Sequence, residues 1–558
     1  MSGWKSDPAG RPLAGRAPGT SGPATGAGPT LTLACILWLA GLVLASCSRH
    51  AGAPADILRI SQRNEPATLD PQLATLPDEF FVIRALSEGL LAPAPDGGAP
   101  LPAVARRWEV AADGRTYTFE LRPDARWSNG DPVTAGDFVY SIRRILSPAL
   151  AAPKASLFFP LRNAAAYYAG QEKDFAAVGV QAVGDHRLVL TLAEPTADFP
   201  AMVASGPWIP VHQATIEQFG RPDQRGTAWT RPGHFVGNGP FLLAAWRPNE
   251  EIVVRRNPAY RAAARIRLDE IRFLAFDNGD SEERAFRAGQ LDVTLAVPFN
   301  KLTTYRQARP SVLHLQPLQE TRYLALNTHR PPLDREPVRR ALSLALDRAA
   351  LVEKVLRGGQ APAFTFVPPG LGGYQPAAAV AEDAAEARRL LSEAGFPNGR
   401  GFPKLELSTW PVSVAQLEAI QQMWRRELGI EVVITPREAR THLAALAAGD
   451  YDLALATAIP DYDGASDLFT ALQTGNPGNY PHWSDAEFDR LVATAGRTGS
   501  AELRTETYRR AEARLLAAMP VIPLYFNTQD FLLQPRVHGW RSDRLWTRFY
   551  LDLAVGQK

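Results

Sequence analysis

Along this chain, apolar side chains fall into two distinct rhythms. Tyr117, Phe119 and Leu121 alternate with Thr116, Thr118 and Glu120, a period of two that predicts a half-buried strand, and Leu188, Leu190 and Leu192 repeat it. Elsewhere the spacing is helical. Pro337 suits a first helical turn, and Val338, Ala341, Leu342 and Ala345 follow it on one face. Leu417, Ile420, Trp424 and Leu428 mark a second helix. Strand and helix stretches mix throughout and are long after residue 310, so the pattern predicts an α/β body rather than a sandwich or a bundle.

One stretch follows neither rhythm. Residues 31–45 are uncharged and apolar, long enough for the hydrophobic region of a signal peptide and short of the roughly 20 residues that span a bilayer. The stretch closes on Leu44-Ala45-Ser46-Cys47, which resembles the lipobox of bacterial lipoproteins, where the cysteine becomes the lipidated first residue of the mature chain. An ordinary cleavage site that merely neighbours a cysteine is the other reading. Residues 1–30 are rich in Gly, Pro and small polar side chains and are longer than a usual leader.

Composition then removes several kinds of chemistry. Of 558 residues, 46 % are hydrophobic and 21 % charged, a globular balance, and the length calls for more than one core. The net charge is +2. The first 46 residues hold Lys5, Arg11, Arg16 and Asp7, so the remainder is neutral, with no polybasic block for nucleic acid. The only cysteines are Cys35 and Cys47, which excludes a disulfide framework, a thiolate metal site and a cysteine nucleophile from the body. The nine histidines include no pair at helical metal-binding spacing. A phosphate-binding loop, a nucleophile elbow and a dinucleotide fingerprint are also missing from the sequence, so no cofactor is expected.

One acidic run stands out among small and aromatic residues: Asp461-Tyr462-Asp463-Gly464, with Asp467 close behind. By residue type it is either an Asp-rich turn whose side chains cap the next helix, or a loop offering carboxylates to a ligand.

Several segments, taken in order, resemble the family-five extracytoplasmic solute-binding proteins, and the likeness runs from Arg59 to Leu551. Its densest part is Ala105 to Tyr140, with Asp113-Gly114-Arg115-Thr116-Tyr117 and Trp127-Ser128-Asn129-Gly130-Asp131-Pro132-Val133 inside it. Around it stand Glu65-Pro66, Thr68-Leu69-Asp70-Pro71, Gly237-Asn238-Gly239-Pro240-Phe241, Arg256-Asn257-Pro258 with Tyr260, and Gly289-Gln290-Leu291-Asp292. Val338-Arg339-Arg340-Ala341-Leu342, Ala394-Gly395-Phe396-Pro397 and Pro535-Arg536-Val537-His538-Gly539-Trp540 complete the series.

The resemblance implies an α/β, two-lobed periplasmic-binding-protein fold of type II with an extra inserted domain, the ligand cleft lying between lobes joined by a hinge. Carried onto this chain, it implies a discontinuous domain I at 56–87, 212–312 and 529–558, an inserted domain II at 88–211, and a second lobe, domain III, at 313–528. The implied function is the solute-binding component of a peptide ABC importer. Its partners would be a small peptide and permease subunits served by separate ATPase subunits, with no nucleic acid. The protein would be a monomer in the periplasm, held to a membrane through Cys47.

For ligand contacts, the family assigns an Asp in a comparable loop to the peptide's α-ammonium, and that position matches Asp461. Tyr462 and Asp463 beside it, Tyr323 in a backbone-contacting strand, and Asn238 are the other candidates. A core aromatic is the alternative for Tyr323. Ala458 and Ala439 stand where peptide binders often carry Trp, which reshapes the side-chain pockets. The same fold carrying heme, an amino-acid derivative or a murein peptide is therefore a second reading, and a hydrolase using Asp461 and Asp463 a third.

Overall fold

The computed structural model describes residues 56–541 and 544–556, so Cys47 and the apolar run at 31–45 lie outside the described residues. Strand β1 (Ile57–Gln62) opens the body. The chain then leaves it to build a separate sheet from β2 (Ala105–Val110), β3 (Thr116–Leu121), β4 (Val180–Ala182) and β5 (Arg187–Thr191), antiparallel in the order β2-β3-β5-β4. It returns with β6 (Phe241–Arg247), β7 (Glu251–Arg256) and β8 (Glu270–Ala275), and the sheet closes as β1-β8-β7-β6. The first lobe is thus interrupted by its own insertion.

A six-stranded mixed sheet forms the second lobe. It comprises β9 (Leu313–Leu326), β10 (Ala361–Pro362), β11 (Leu405–Thr409), β12 (Val432–Pro436), β13 (Leu453–Ala458) and β14 (Val521–Leu532), ordered β10-β14-β9-β13-β11-β12. Both faces are covered. Leu324, Leu326, Leu453 and Leu455 point into one core, while Tyr323, Ala325, Ala454 and Ala456 point into the other, the period of two sorting alternate residues between them.

Each expected rhythm is realised. Tyr117, Phe119 and Leu121 are buried along β3, and Leu188, Leu190 and Leu192 are buried with them. The helix α1 (Ala135–Ile145) packs on this sheet; it begins where Thr134 N donates to Asp137 Oδ2 at 2.7 Å in a capping box. In the second lobe, α2 (Glu336–Leu344) buries Val338, Ala341 and Leu342. Helix α3 (Val414–Leu428) buries Leu417, Ile420, Trp424 and Leu428, and the Trp424 indole donates to the Leu342 carbonyl at 2.8 Å.

The ordered sequence motifs are braces of this interrupted chain. Asp70 meets Arg144 of α1 in an ion pair at 2.7 Å, both side chains almost fully buried. Asn238 brackets Glu88, accepting from its N–H at 2.9 Å and donating to its carbonyl at 3.0 Å. Tyr260 donates to the Glu88 carboxylate at 2.8 Å, and Asn257 donates to the Gly239 carbonyl at 2.9 Å. Asp292 accepts from the Arg59 N–H at 2.9 Å and from Arg536 Nε at 2.8 Å.

Two strands run between the lobes side by side. Strand β9 pairs antiparallel with β14 from Leu313 opposite Leu532 to Ala325 opposite Val521, with register shifts after Pro317 and after Arg322. At its first-lobe end β14 is fixed by the Thr294 hydroxyl, which accepts from the Leu532 N–H at 2.8 Å.

Candidate ligand-binding site

Strand β13 ends at Ala458, and helix α4 (Ala465–Ala471) begins seven residues later, so the acidic run is the loop between them. The loop is folded back on its own helix. The Asp461 N–H donates to Asp467 Oδ2 at 2.7 Å, with Asp467 in the first turn of α4, while the N-cap Gly464 contributes no side chain. Glycine is needed there because a Cβ would lie 2.8 Å from Asp198 Oδ2 and 2.6 Å from the Tyr462 ring.

From this position the loop reaches across to the inserted segment of the first lobe at three points. Lys154 Nζ donates to both oxygens of Asp461, each at 2.8 Å, and the two side chains are 27 % and 28 % exposed. Tyr462, 4 % exposed, is a member of the inserted domain's own core, together with Phe199 and Trp208. Its hydroxyl lies 2.9 Å from Ser466 Oγ, which in turn donates to Asp198. Asp463 accepts from the Gly98 N–H at 3.1 Å with one oxygen and from the Gly372 N–H at 2.7 Å with the other.

Burial sets the charges here. It works against the Lys154 ammonium, yet the Asp461 carboxylate beside it raises the Lys154 pKa. Asp467 is pushed up to about 7, first by burial and then by its neighbour Asp461. Burial also raises Asp198, while the Ser466 hydrogen bond acts in the opposite direction. An acid whose pKa is higher folded than unfolded contributes stability that is present at low pH and lost as pH rises through the folded value. Replacing Asp467 by Asn removes that loss. The melting temperature of Asp467→Asn, measured against the parent, is therefore expected to improve from about pH 4 to about pH 7 and to level off above that; a difference that stays flat throughout refutes the assignment.

The sequence candidates do not all gather at this loop. Asp461, Tyr462 and Asp463 do. Tyr323 is 3 % exposed in the middle of the sheet, edge-on to Phe366 at 5.3 Å, and its backbone lies between β13 and β14. Asn238 is buried at its Glu88 brace. Ala458 packs against the second-lobe core, and Ala439 is exposed at the start of the helix Ala439–Ala448. Tyr480, which acts electrostatically on both Lys154 and Tyr323, lines a cavity of about 410 Å³ with Leu446, Trp483 and the stacked rings of His329 and His482. A volume of that size holds a small solute or a large side chain.

Lys154 and Asp198 were not among the sequence candidates. Lys154 stands 307 residues from its partner, and its one sequence signal is its type: it is one of seven lysines among 60 basic residues. Among the described residues no group of three or more His, Cys, Asp or Glu is placed to hold a metal, and no helix is long and apolar enough to cross a membrane.

Known proteins resemble this chain over most of its length. The model of bacterial extracellular solute-binding proteins, family 5, middle, matches residues 99–480. The probable deoxycholate-binding periplasmic protein YgiS of Escherichia coli is 33 % identical over 522 residues, covering 90 % of this chain and 96 % of that one. The murein tripeptide binding protein MppA of Escherichia coli superposes with a TM-score of 0.83 at 31 % identity, over 91 % of this chain and 99 % of that one. Against the unliganded open form of MppA the TM-score falls to 0.71 at 31 % identity, over 90 % of this chain and 98 % of that one. Haemophilus influenzae OppA, in complex with the peptide RPPGFSPFR, gives a TM-score of 0.80 at 29 % identity, over 90 % of this chain and 100 % of that one.

Proposed function

Because this chain belongs to the family 5 bacterial extracellular solute-binding proteins, we propose that it captures a peptide or peptide-like solute between its lobes and delivers it to the permease of an ABC importer. The observation that carries this reading is the Asp461–Asp463 loop, which leaves the second lobe and seats Tyr462 inside the core of the inserted domain. Such a contact exists only when the lobes are together, so it couples filling of the cleft to a surface that a membrane partner can recognise.

Asp461, Tyr462 and Asp463 are the cleft residues of this proposal, whereas Asn238 and Tyr323 support it from the brace and the sheet. The domain division at 88, 212, 313 and 529 is part of this proposal; it is supported by the interruption of the first sheet between β1 and β6 and by the start of β9 at Leu313. Residence in the periplasm as a monomer, tethered through a lipid on Cys47, belongs to the same proposal. Catalysis has no support at the loop, where Asp461 is committed to Lys154 and Asp463 to two backbone N–H groups.

Native mass spectrometry of protein purified from its bacterial host, followed by denaturation, tests the cargo. A ladder of short peptides is the expected result. A single non-peptide species, such as a bile acid of the kind named for YgiS, would keep the solute-binding role and replace the cargo.

A further inference from the structure

The place where a ligand's ammonium would meet Asp461 already holds an ammonium. Lys154 Nζ gives one hydrogen to each oxygen of the carboxylate, at 2.8 Å in both cases, and its third hydrogen has no acceptor in that pair. The neighbouring acids do not call for a second cation. Asp467 spends Oδ2 on the Asp461 N–H, and burial pushes its carboxyl up to about 7, toward the neutral form. Asp463 is satisfied by two backbone N–H groups. Asp198 accepts from Ser466, is raised by burial, and feels the Arg504 charge. A free amine brought to this loop would stand beside Lys154 and be repelled by it.

We propose that Lys154 determines specificity: its ammonium replaces the ligand's own against Asp461, so that the cleft takes solutes whose end at this loop is amine-free and offers an oxygen acceptor to the remaining Nζ hydrogen. N-blocked peptides and other amine-free acyl compounds have that chemistry. The inference rests on the solute-binding reading above and narrows its cargo. A lysine is suited to the task because a compact ammonium on a flexible stem fits the volume of an amino terminus, which a planar guanidinium does not.

The test uses mature-length protein stripped of solute by unfolding and refolding, with calorimetric titration against a pool of tri- to pentapeptides and against the same pool after N-acetylation. The parent is expected to bind the acetylated pool at least as tightly as the free one. Lys154→Ala should move the preference tenfold or more toward free amines, and Lys154→Gln, which keeps a donor without the charge, should move it the same way. A parent that prefers the free-amine pool by tenfold or more overturns the proposal. A parent that binds neither pool removes peptides as cargo, a separate failure; the role of Lys154 then survives only if its variants gain the free-amine pool, and falls if they do not.

Discussion

Truncating Tyr462 to alanine is expected to weaken solute binding roughly a hundredfold while leaving the fold intact. The ring is 4 % exposed and belongs to the core of the inserted domain, although the residue is carried by the second lobe. Removing a buried aromatic costs about 3–5 kcal/mol in a core. Here the loss falls only on the closed arrangement, because only then does the ring occupy that core. A destabilisation of about 3 kcal/mol of the binding-competent state raises the dissociation constant by about two decades. Tyr462→Phe keeps the ring and forfeits only the hydroxyl contact with Ser466, so a change nearer fivefold is expected. Titration calorimetry supplies both affinities, and X-ray scattering reports closure. Unchanged affinity in Tyr462→Ala would mean that closure does not depend on this contact.

The other large effect lies away from the cleft. Arg144→Met should lower the unfolding free energy by about 3–5 kcal/mol, because it strands a buried carboxylate. Arg144 and Asp70 are 1 % and 2 % exposed. The guanidinium also donates to Gln72 Oε1 at 2.7 Å and to the Pro222 carbonyl at 2.7 Å, joining α1 to two first-lobe segments. Adding Asp70→Asn to Arg144→Met removes the stranded charge and should recover part of the loss. Urea unfolding of the two single variants and the double variant decides the matter. Losses that simply add would mean that the pair is not energetically coupled.

The elements themselves were legible because their information is local. The alternation at 116–121 and the spacing through Trp424 each fix a buried face within a few residues, and those faces are buried as expected. The ordered motifs were legible as a series but not as parts. Read alone, Asp70, Asn238 and Asp292 carry no sign of their partners. Arg144 is 74 residues from Asp70, Glu88 is 150 from Asn238, and Arg536 is 244 from Asp292. At the candidate site the run Asp461–Asp463 was visible as an acidic loop, and the chain does place it between the lobes. Lys154 was not, because what sets its role is a contact across the cleft that no spacing rule encodes. The two-way reading of the run resolves in an unexpected way: it is Asp467, inside the helix, that reaches back to the loop, and not the loop that caps the helix.

The pairing of β9 with β14 has a bearing on ancestry. Leu313 and Leu532, where the chain passes into and out of the six-stranded lobe, are partners in one ladder. Everything between them is therefore a cassette with adjoining ends. A module of that form can be gained, exchanged or diversified by recombination at a single spot without rerouting its host, since chain ends that lie together are readily spliced into an existing scaffold. The inserted domain contributes Lys154 and the cassette contributes Asp461, so the pair proposed to set cargo choice is drawn from two different modules of the chain.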